Sequence, residues 1–114
     1  MLPKLHRLTK RKDFDALFKG GKLIYGRQLQ ARVAKTGQNQ PTRIAIVISA
    51  KTEKSAVKRN RAKRQVREVL RKVVSQIKPG FDVAITIKHS FLPLPFDAKQ
   101  TATLELVKKA SLLA

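Results

Sequence analysis

Ten of the 22 residues from Lys51 to Lys72 (KTEKSAVKRNRAKRQVREVLRK) are lysine or arginine, and only Glu53 and Glu68 are acidic. Ammonium and guanidinium groups at this density do one kind of chemistry well: they donate charge-assisted hydrogen bonds to phosphate oxygens. Spacing says which of them act together. Ala62, Val66, Val69, Leu70, Val73, Val74 and Ile77 recur at helical intervals and share one face. At 100° per residue, Asn60, Arg64, Arg67 and Arg71 fall in a stripe opposite that face, flanked by Arg61 and Lys63, with Lys54, Lys58 and Arg59 leading into it. Ser55 is the expected N-cap, and Lys78-Pro79-Gly80 is the expected stop. Like charges at i, i+3 and i, i+4 weaken a helix by about 0.2–0.5 kcal/mol per pair. A solvated charged face normally mixes both signs. A stripe of one sign makes sense when a polyanion neutralises it, and Asn60 adds a donor and an acceptor that solubility does not require.

Chemistry on covalent bonds has far less to work with. The seven acids, Asp13, Asp15, Glu53, Glu68, Asp82, Asp97 and Glu105, are scattered. Asp13 and Asp15, two apart on a helix, point in nearly opposite directions and make a poor acid–base or metal pair. His6 and His89 match no zinc spacing, and the five glycines form neither a P-loop nor a dinucleotide fingerprint. There is no cysteine, hence no thiolate and no disulfide framework. The polypeptide by itself is not expected to hydrolyse a substrate or to bind a metal.

Several elements must position the basic stripe. A chain of 114 residues, 42% hydrophobic with a net charge of +19, suits one folded domain, 1–114, with an anionic partner. Residues 1–12 read as a basic, irregular arm. A helix is expected from Thr9 or Arg11 to Phe18, with Phe14, Leu17 and Phe18 at i, i+3 and i+4 and Gly20-Gly21 ending it. Phe14 and Phe18 suit core packing by default, and stacking on unpaired bases as the sharper alternative. Leu23–Lys35 is expected to be strand, broken near Gly26, with alternation that makes one face of 28–35 polar and basic. A polar loop follows at 36–41. Arg43–Ser49 reads as a central strand buried on both sides, and Phe81–Lys88 as another of the same type, so strand, basic helix and strand suggest a parallel βαβ unit. Asp97 is expected to cap a last helix whose stripe is Ala98, Ala102, Leu106, Val107, Ala110 and Leu113. No apolar run approaches the roughly 20 residues of a membrane span, and the N-terminus lacks a signal-peptide core, so a cytoplasmic location is expected.

The stretch KSAVKRNRAKRQVRE resembles the signature of the bacterial ribonuclease P protein subunit, an Arg-Asn pair followed by Lys-Arg and then Arg on one helix. Those positions are Arg59, Asn60, Lys63, Arg64 and Arg67, with Lys54, Ala56 and Val57 also matching upstream. Arg7-Leu8, Asp13-Phe14, Phe18 and Gly21 resemble the family's opening segment, Arg27-Gln28 the start of its second strand, and RIAIVISAK the strand that feeds the helix. The likeness covers nearly the whole chain.

The resemblance implies an α+β fold: an α-β-β-β-α-β-α two-layer sandwich on a four-stranded sheet, similar to a ribosomal small-subunit protein domain, with a left-handed β-α-β crossover. It implies that a partner RNA is the catalyst, removing the 5′ leader of precursor transfer RNA with magnesium held mainly by that RNA. It assigns RNA binding to the basic helix through Lys54, Arg59, Asn60, Lys63, Arg64 and Arg67, and the charge pattern of the helix adds Lys58, Arg61 and Arg71. It assigns the leader to a cleft with Phe14, Phe18, Arg32 and Lys51. Many members place a strand aromatic where this sequence has Arg32, so weaker stacking and stronger charge contact are expected there. The protein itself is expected to be a monomer. The competing functions are a ribosomal-type structural RNA binder with no associated cleavage and a major-groove DNA binder. A membrane-surface role would need a spare apolar face, and Val66–Ile77 is better used covering the sheet.

Overall fold

The computed structural model describes residues 11–36, 41–110 and 112, with the side chains of 11–14 and 16 outside that description. Residues 1–10 of the basic arm, the tip of the 36–41 loop and Leu113 therefore lie outside the described residues, while Arg11 and Lys12 belong to the first helix. The chain runs α1 (Arg11–Gly20), β1 (Lys22–Tyr25), β2 (Leu29–Lys35), β3 (Arg43–Val47), α2 (Ala56–Val73), β4 (Phe81–Ile87) and α3 (Phe96–Lys109). Two short 3₁₀ turns, Val74–Gln76 and His89–Phe91, join the later elements.

The break expected near Gly26 is the turn of a hairpin: β1 and β2 pair antiparallel, with Ile24 opposite Ala31 and Tyr25 opposite Gln30. A Cβ on Gly26 would lie 2.3 Å from the Leu29 carbonyl oxygen, so the turn needs glycine. β2 pairs antiparallel with β4, and β3 pairs parallel with β4 across the α2 crossover. The sheet order is β1-β2-β4-β3.

That order corrects one expectation. The Arg43–Ser49 segment is not central; β3 is an edge strand, and β4 shares the middle with β2. Ile44, Ala45 and Ile46 are all buried nevertheless, because helices cover both faces of the sheet at this edge. Burial on both faces produces the same apolar run whether or not a strand has two neighbours.

Alternation sorts the side chains by face. Leu29, Ala31, Ile44, Ile46, Val83, Ile85 and Ile87 point to one side, where Ala62, Val66 and Leu70 of α2 and Leu106 and Val107 of α3 close over them around Phe91. Each fully buried Val, Leu, Ile or Phe contributes about 1.5–3 kcal/mol relative to exposure, so this layer carries the fold. The other face holds Arg32, Ala34, Asp82, Ala84, Arg43 and Ala45. Here Leu17 of α1 packs onto Ala34, Ala45 and Ala84. Gly21 closes the exit from α1: a Cβ there would sit 2.5 Å from the Leu17 carbonyl oxygen and 2.8 Å from Arg32 Cγ. Arg43 and Asp82, register partners on this face, form a two-pronged ion pair at 2.9 and 2.8 Å.

Helix ends differ in detail from the expected ones. Ser55 does cap α2, its hydroxyl accepting from Lys58 N at 3.3 Å. The regular helix stops at Val73, however, and not at Lys78-Pro79-Gly80; the 3₁₀ turn tightens the exit so that Val74 and Ile77 still reach the core. Gly80 adopts φ 93°, and the buried Thr42 hydroxyl donates to the Lys78 carbonyl while accepting from Phe81 N, which ties this turn to β3. The cap of α3 is Pro95, not Asp97, which lies in the first turn and accepts from Ala98 N at 3.0 Å. Proline there leaves no amide wanting a partner, and the Asp97 carboxylate still favours the positive end of the helix dipole. The buried stripe of α3 is correspondingly rotated to Lys99, Thr103, Leu106 and Val107, with Ala98, Ala102 and Ala110 half-buried beside it. Thr103 tolerates burial because its hydroxyl donates back to the Lys99 carbonyl at 2.8 Å.

Candidate nucleic-acid interface

Packing of Ala62, Val66, Val69 and Leu70 against the sheet and α3 turns the opposite side of α2 to solvent. Lys58, Asn60, Arg61, Arg64 and Arg71 are exposed there, while Arg59, Lys63 and Arg67 are half-buried along their stems. The helix thus brings the expected stripe together on one open surface. Its members are not equivalent. Arg59 turns back: one guanidinium nitrogen donates to the Glu53 carbonyl at 2.7 Å and the Lys54 carbonyl at 2.9 Å, holding the entry loop against the first turn. Arg71 pairs with Glu68 at 2.6 Å. That hydrogen bond holds the Glu68 carboxyl below the usual carboxylate range and pushes Arg71 up, so both stay ionised and mask each other's charge. Among the described residues, Arg64 and Arg67 have no side-chain hydrogen bond or ion pair. Lys54 is exposed in the loop before the cap. Val57, 78% exposed, stands beside Asn60, Arg61 and Arg64 in a shallow depression. Sequence periodicity had no reason to single it out, although an apolar residue off the core face is itself a signal.

The second surface is the sheet face on the side of α1. Phe18 is 47% exposed, and the Arg32 guanidinium lies over its ring, 5.6 Å from the centroid. Arg32 also donates to the Gly21 carbonyl at 3.4 Å. A cation held against an aromatic face that water still reaches has its charge and its ring available together. Phe18 is therefore not a core residue; Leu17 does that work, and Phe18 projects from the helix. The Phe14 side chain lies outside the described residues. Lys51 is exposed in the turn after β3, with no contact to the Phe18–Arg32 pair among the described residues.

Register extends this surface beyond the expected residues. The row next to Arg32 runs Tyr25, Gln30, Thr86 and Val47 across all four strands. Tyr25 at its edge is 62% exposed, and Lys88 sits 6.0 Å from its ring centroid while donating to the Gly26 carbonyl at 2.8 Å. Tyr25 and Lys88 come together only because β4 docks beside β2, which local pattern does not specify. The floor is small and polar, its rim aromatic and cationic, a combination suited to unpaired nucleotides. Among the described residues no three His, Asp or Glu side chains come together as a metal site. None of the described helices is long and apolar enough to cross a membrane.

Comparison with known proteins agrees over the whole length. The sequence profile of the Ribonuclease P family matches residues 2–111. A Ribonuclease P protein component from Synechococcus sp. (strain JA-2-3B'a(2-13)) is 37% identical over 116 residues, covering 99% of this chain and 87% of that protein. Another, from Synechocystis sp., is 42% identical over 86 residues, 75% of this chain and 69% of its own length. Among solved structures, the RNase P protein from Thermotoga maritima superposes with a TM-score of 0.80 at 30% identity, covering 90% of this chain and 96% of its own. The Staphylococcus aureus RNase P protein shares the fold with a TM-score of 0.87 at 24% identity, covering 97% and 100%.

Proposed function

The chain belongs to the ribonuclease P protein family, and starting from that we propose that its two open surfaces divide the work: α2 binds the ribonuclease P RNA, and the Phe18–Arg32 face receives the leader of precursor transfer RNA. As a ribonuclease P protein component it takes part in transfer-RNA processing with the ribonuclease P RNA. The observation that carries the division is the contrast within α2. Arg64 and Arg67 have no partner among the described residues on the exposed side of a helix whose other side is locked to the core, so their charge is offered outward on a rigid support.

In this proposal the RNA is the catalyst and the protein alone is inactive. Asp82 is occupied by Arg43, Glu68 by Arg71, and Glu53 accepts the Ser55 amide. Each is committed to a cation or an amide, and none is poised to move a proton. Among the described residues no three His, Asp or Glu side chains come together, and in this proposal magnesium is held mainly by the RNA. The protein's contribution is electrostatic and geometric. The cations of α2 replace part of the counterion screening that two folded RNAs need to approach each other. The Phe18 ring and Arg32 hold the leader in register. The protein acts as a monomer in the cytoplasm.

Reconstitution tests this. Purified protein, the ribonuclease P RNA and precursor transfer RNA are combined at low and high magnesium, each component omitted in turn. We expect no cleavage by protein alone, slow cleavage by RNA alone at low magnesium, and a marked gain with both. Site-specific cleavage by RNA-free protein, or no gain on adding it, overturns the proposal. The second outcome is the one expected of a ribosomal-type structural binder.

A further inference from the structure

A cavity of about 460 Å³ opens where the first turns of α2, the His89–Phe91 turn and the start of α3 meet. It is set well round the helix from the Arg64–Arg67 stripe, on the flank turned toward α3. Its wall carries the basic side chains of Lys58, Arg61 and Lys99, with His89 beside them and Glu53 as the one carboxylate. Glu53 is already engaged, accepting from the Ser55 amide at 3.1 Å.

Lys99 is the unusual member. The residue is only 8% exposed. Its ammonium donates to Gln65 Oε1 at 2.8 Å and lies 5.3 Å from the centroid of the buried Phe91 ring. Gln65 takes one of three donors, and no carboxylate reaches the ammonium among the described residues. Burying a lysine with a neutral amide and a ring as its company is costly, and a residue serving the core alone would be better as methionine. Burial first, then repulsion from Arg61, hold the ammonium below the usual lysine range. The cluster is thus under tension that a bound anion would relieve.

The lining also says which anion. Leu92 and Pro93 give the cavity an apolar side opposite the cations. The volume is in the range of small-molecule sites and larger than a bare oxyanion fills. We propose that this cavity binds a nucleotide through its phosphate, with Lys99 and Arg61 as the charged partners and Leu92–Pro93 against the sugar or base. Lys58 then serves this cavity, and Arg61 stands between it and the depression lined by Asn60 and Arg64. The nucleotide is either free in solution or part of an RNA chain; the site's chemistry is the same.

Calorimetric titration of the folded protein at low ionic strength decides it, with adenosine 5′-monophosphate, inorganic phosphate and adenosine as probes. The monophosphate should bind, phosphate should bind more weakly, and adenosine should not bind measurably. Lys99→Met should lower the monophosphate affinity about ten-fold or more without lowering Tm, and Arg61→Gln about three-fold. Lys108→Gln removes the same charge from an exposed site at the far end of α3 and should change little. Equal losses in Lys99→Met and Lys108→Gln would mean diffuse attraction to a +19 chain and overturn the proposal. So would absence of monophosphate binding. If Lys99→Met does not fold, Arg61→Gln against Lys108→Gln makes the same comparison. Competition separates the sources. An RNA-borne nucleotide requires that the monophosphate displace ribonuclease P RNA from the wild type only. A free nucleotide requires that it bind the preformed complex without displacing RNA.

Discussion

Phe18 and Arg32 show how one side chain can change the role of another. An aromatic half-exposed on a helix would ordinarily be a modest liability. With a guanidinium held over one face, the pair offers a ring for stacking and a charge for phosphate within one small area. Stacking of a base on an aromatic contributes roughly 1–3 kcal/mol. Phe18→Leu should therefore shrink the preference of the assembled ribonucleoprotein for leader-bearing over mature transfer RNA several-fold, read as the ratio of two Kd values. Because Phe18 is 47% exposed, Tm should hardly move. Arg32→Ala should cost leader affinity mainly at low salt, since a phosphate contact is screened at high salt. A fall in Tm with equal weakening of both RNAs would show instead that Phe18 fastens α1 to the sheet.

At the scale of the element, α2 separates arginines without a side-chain partner among the described residues from arginines bonded within the protein. Arg64→Ala and Arg67→Ala should each weaken binding to the ribonuclease P RNA. If each meets one phosphate, each should flatten the slope of log K against log salt by about 0.7–0.9 with Tm unchanged. Arg71→Ala should flatten it less, because Glu68 already masks that charge. Arg59→Ala belongs to another class. It removes two bonds to the Glu53 and Lys54 carbonyls, so it should lower stability by about 1–2 kcal/mol and loosen the loop that presents Ser55. Thermal melts of the four variants beside salt-dependent binding curves distinguish the two roles. A uniform drop in Tm across all four would make the stripe structural.

For the whole molecule, 26 cations against seven acids leave a charge of +19 on 114 residues. Self-repulsion on that scale destabilises the folded state and strengthens every encounter with a polyanion. The two consequences respond to salt in opposite directions. Raising monovalent salt from about 10 to about 200 mM shortens the Debye length from about 30 Å to below 10 Å, less than the molecule's 38 Å long axis. The free protein should melt several degrees higher across that range, while its affinity for RNA falls by orders of magnitude. Calorimetry and filter binding on one preparation would show both. A Tm that falls or stays flat with added salt would mean that the like charges are already relieved within the fold.

Much of this architecture was legible from local pattern, because local pattern is set by each residue's own burial. The 3.6-residue recurrence of Ala62, Val66, Val69 and Leu70 placed the buried face of α2, and thereby the exposed one. Ser55 announced its own cap, and alternation through Leu29–Lys35 divided the two faces of β2 correctly. Ten cations against two acids in Lys51–Lys72 are enough to indicate an anionic partner. What pattern could not supply was the identity of neighbours. An apolar run records that β3 is buried on both faces but not that it stands at the edge, since pairing is chosen by β2 docking on the free side of β4. The α3 stripe was read from apolar residues, so Lys99 and Thr103 were overlooked; each is tolerated inside only because Gln65, Phe91 or a carbonyl one turn back is there to meet it. Likewise nothing local tells Arg59, bonded to two carbonyls of its own chain, from Arg64, which has no side-chain partner among the described residues. Burial is a property that a residue's own type encodes, whereas partnership belongs to pairs, and the pairs exist only once the strands and helices have been brought together.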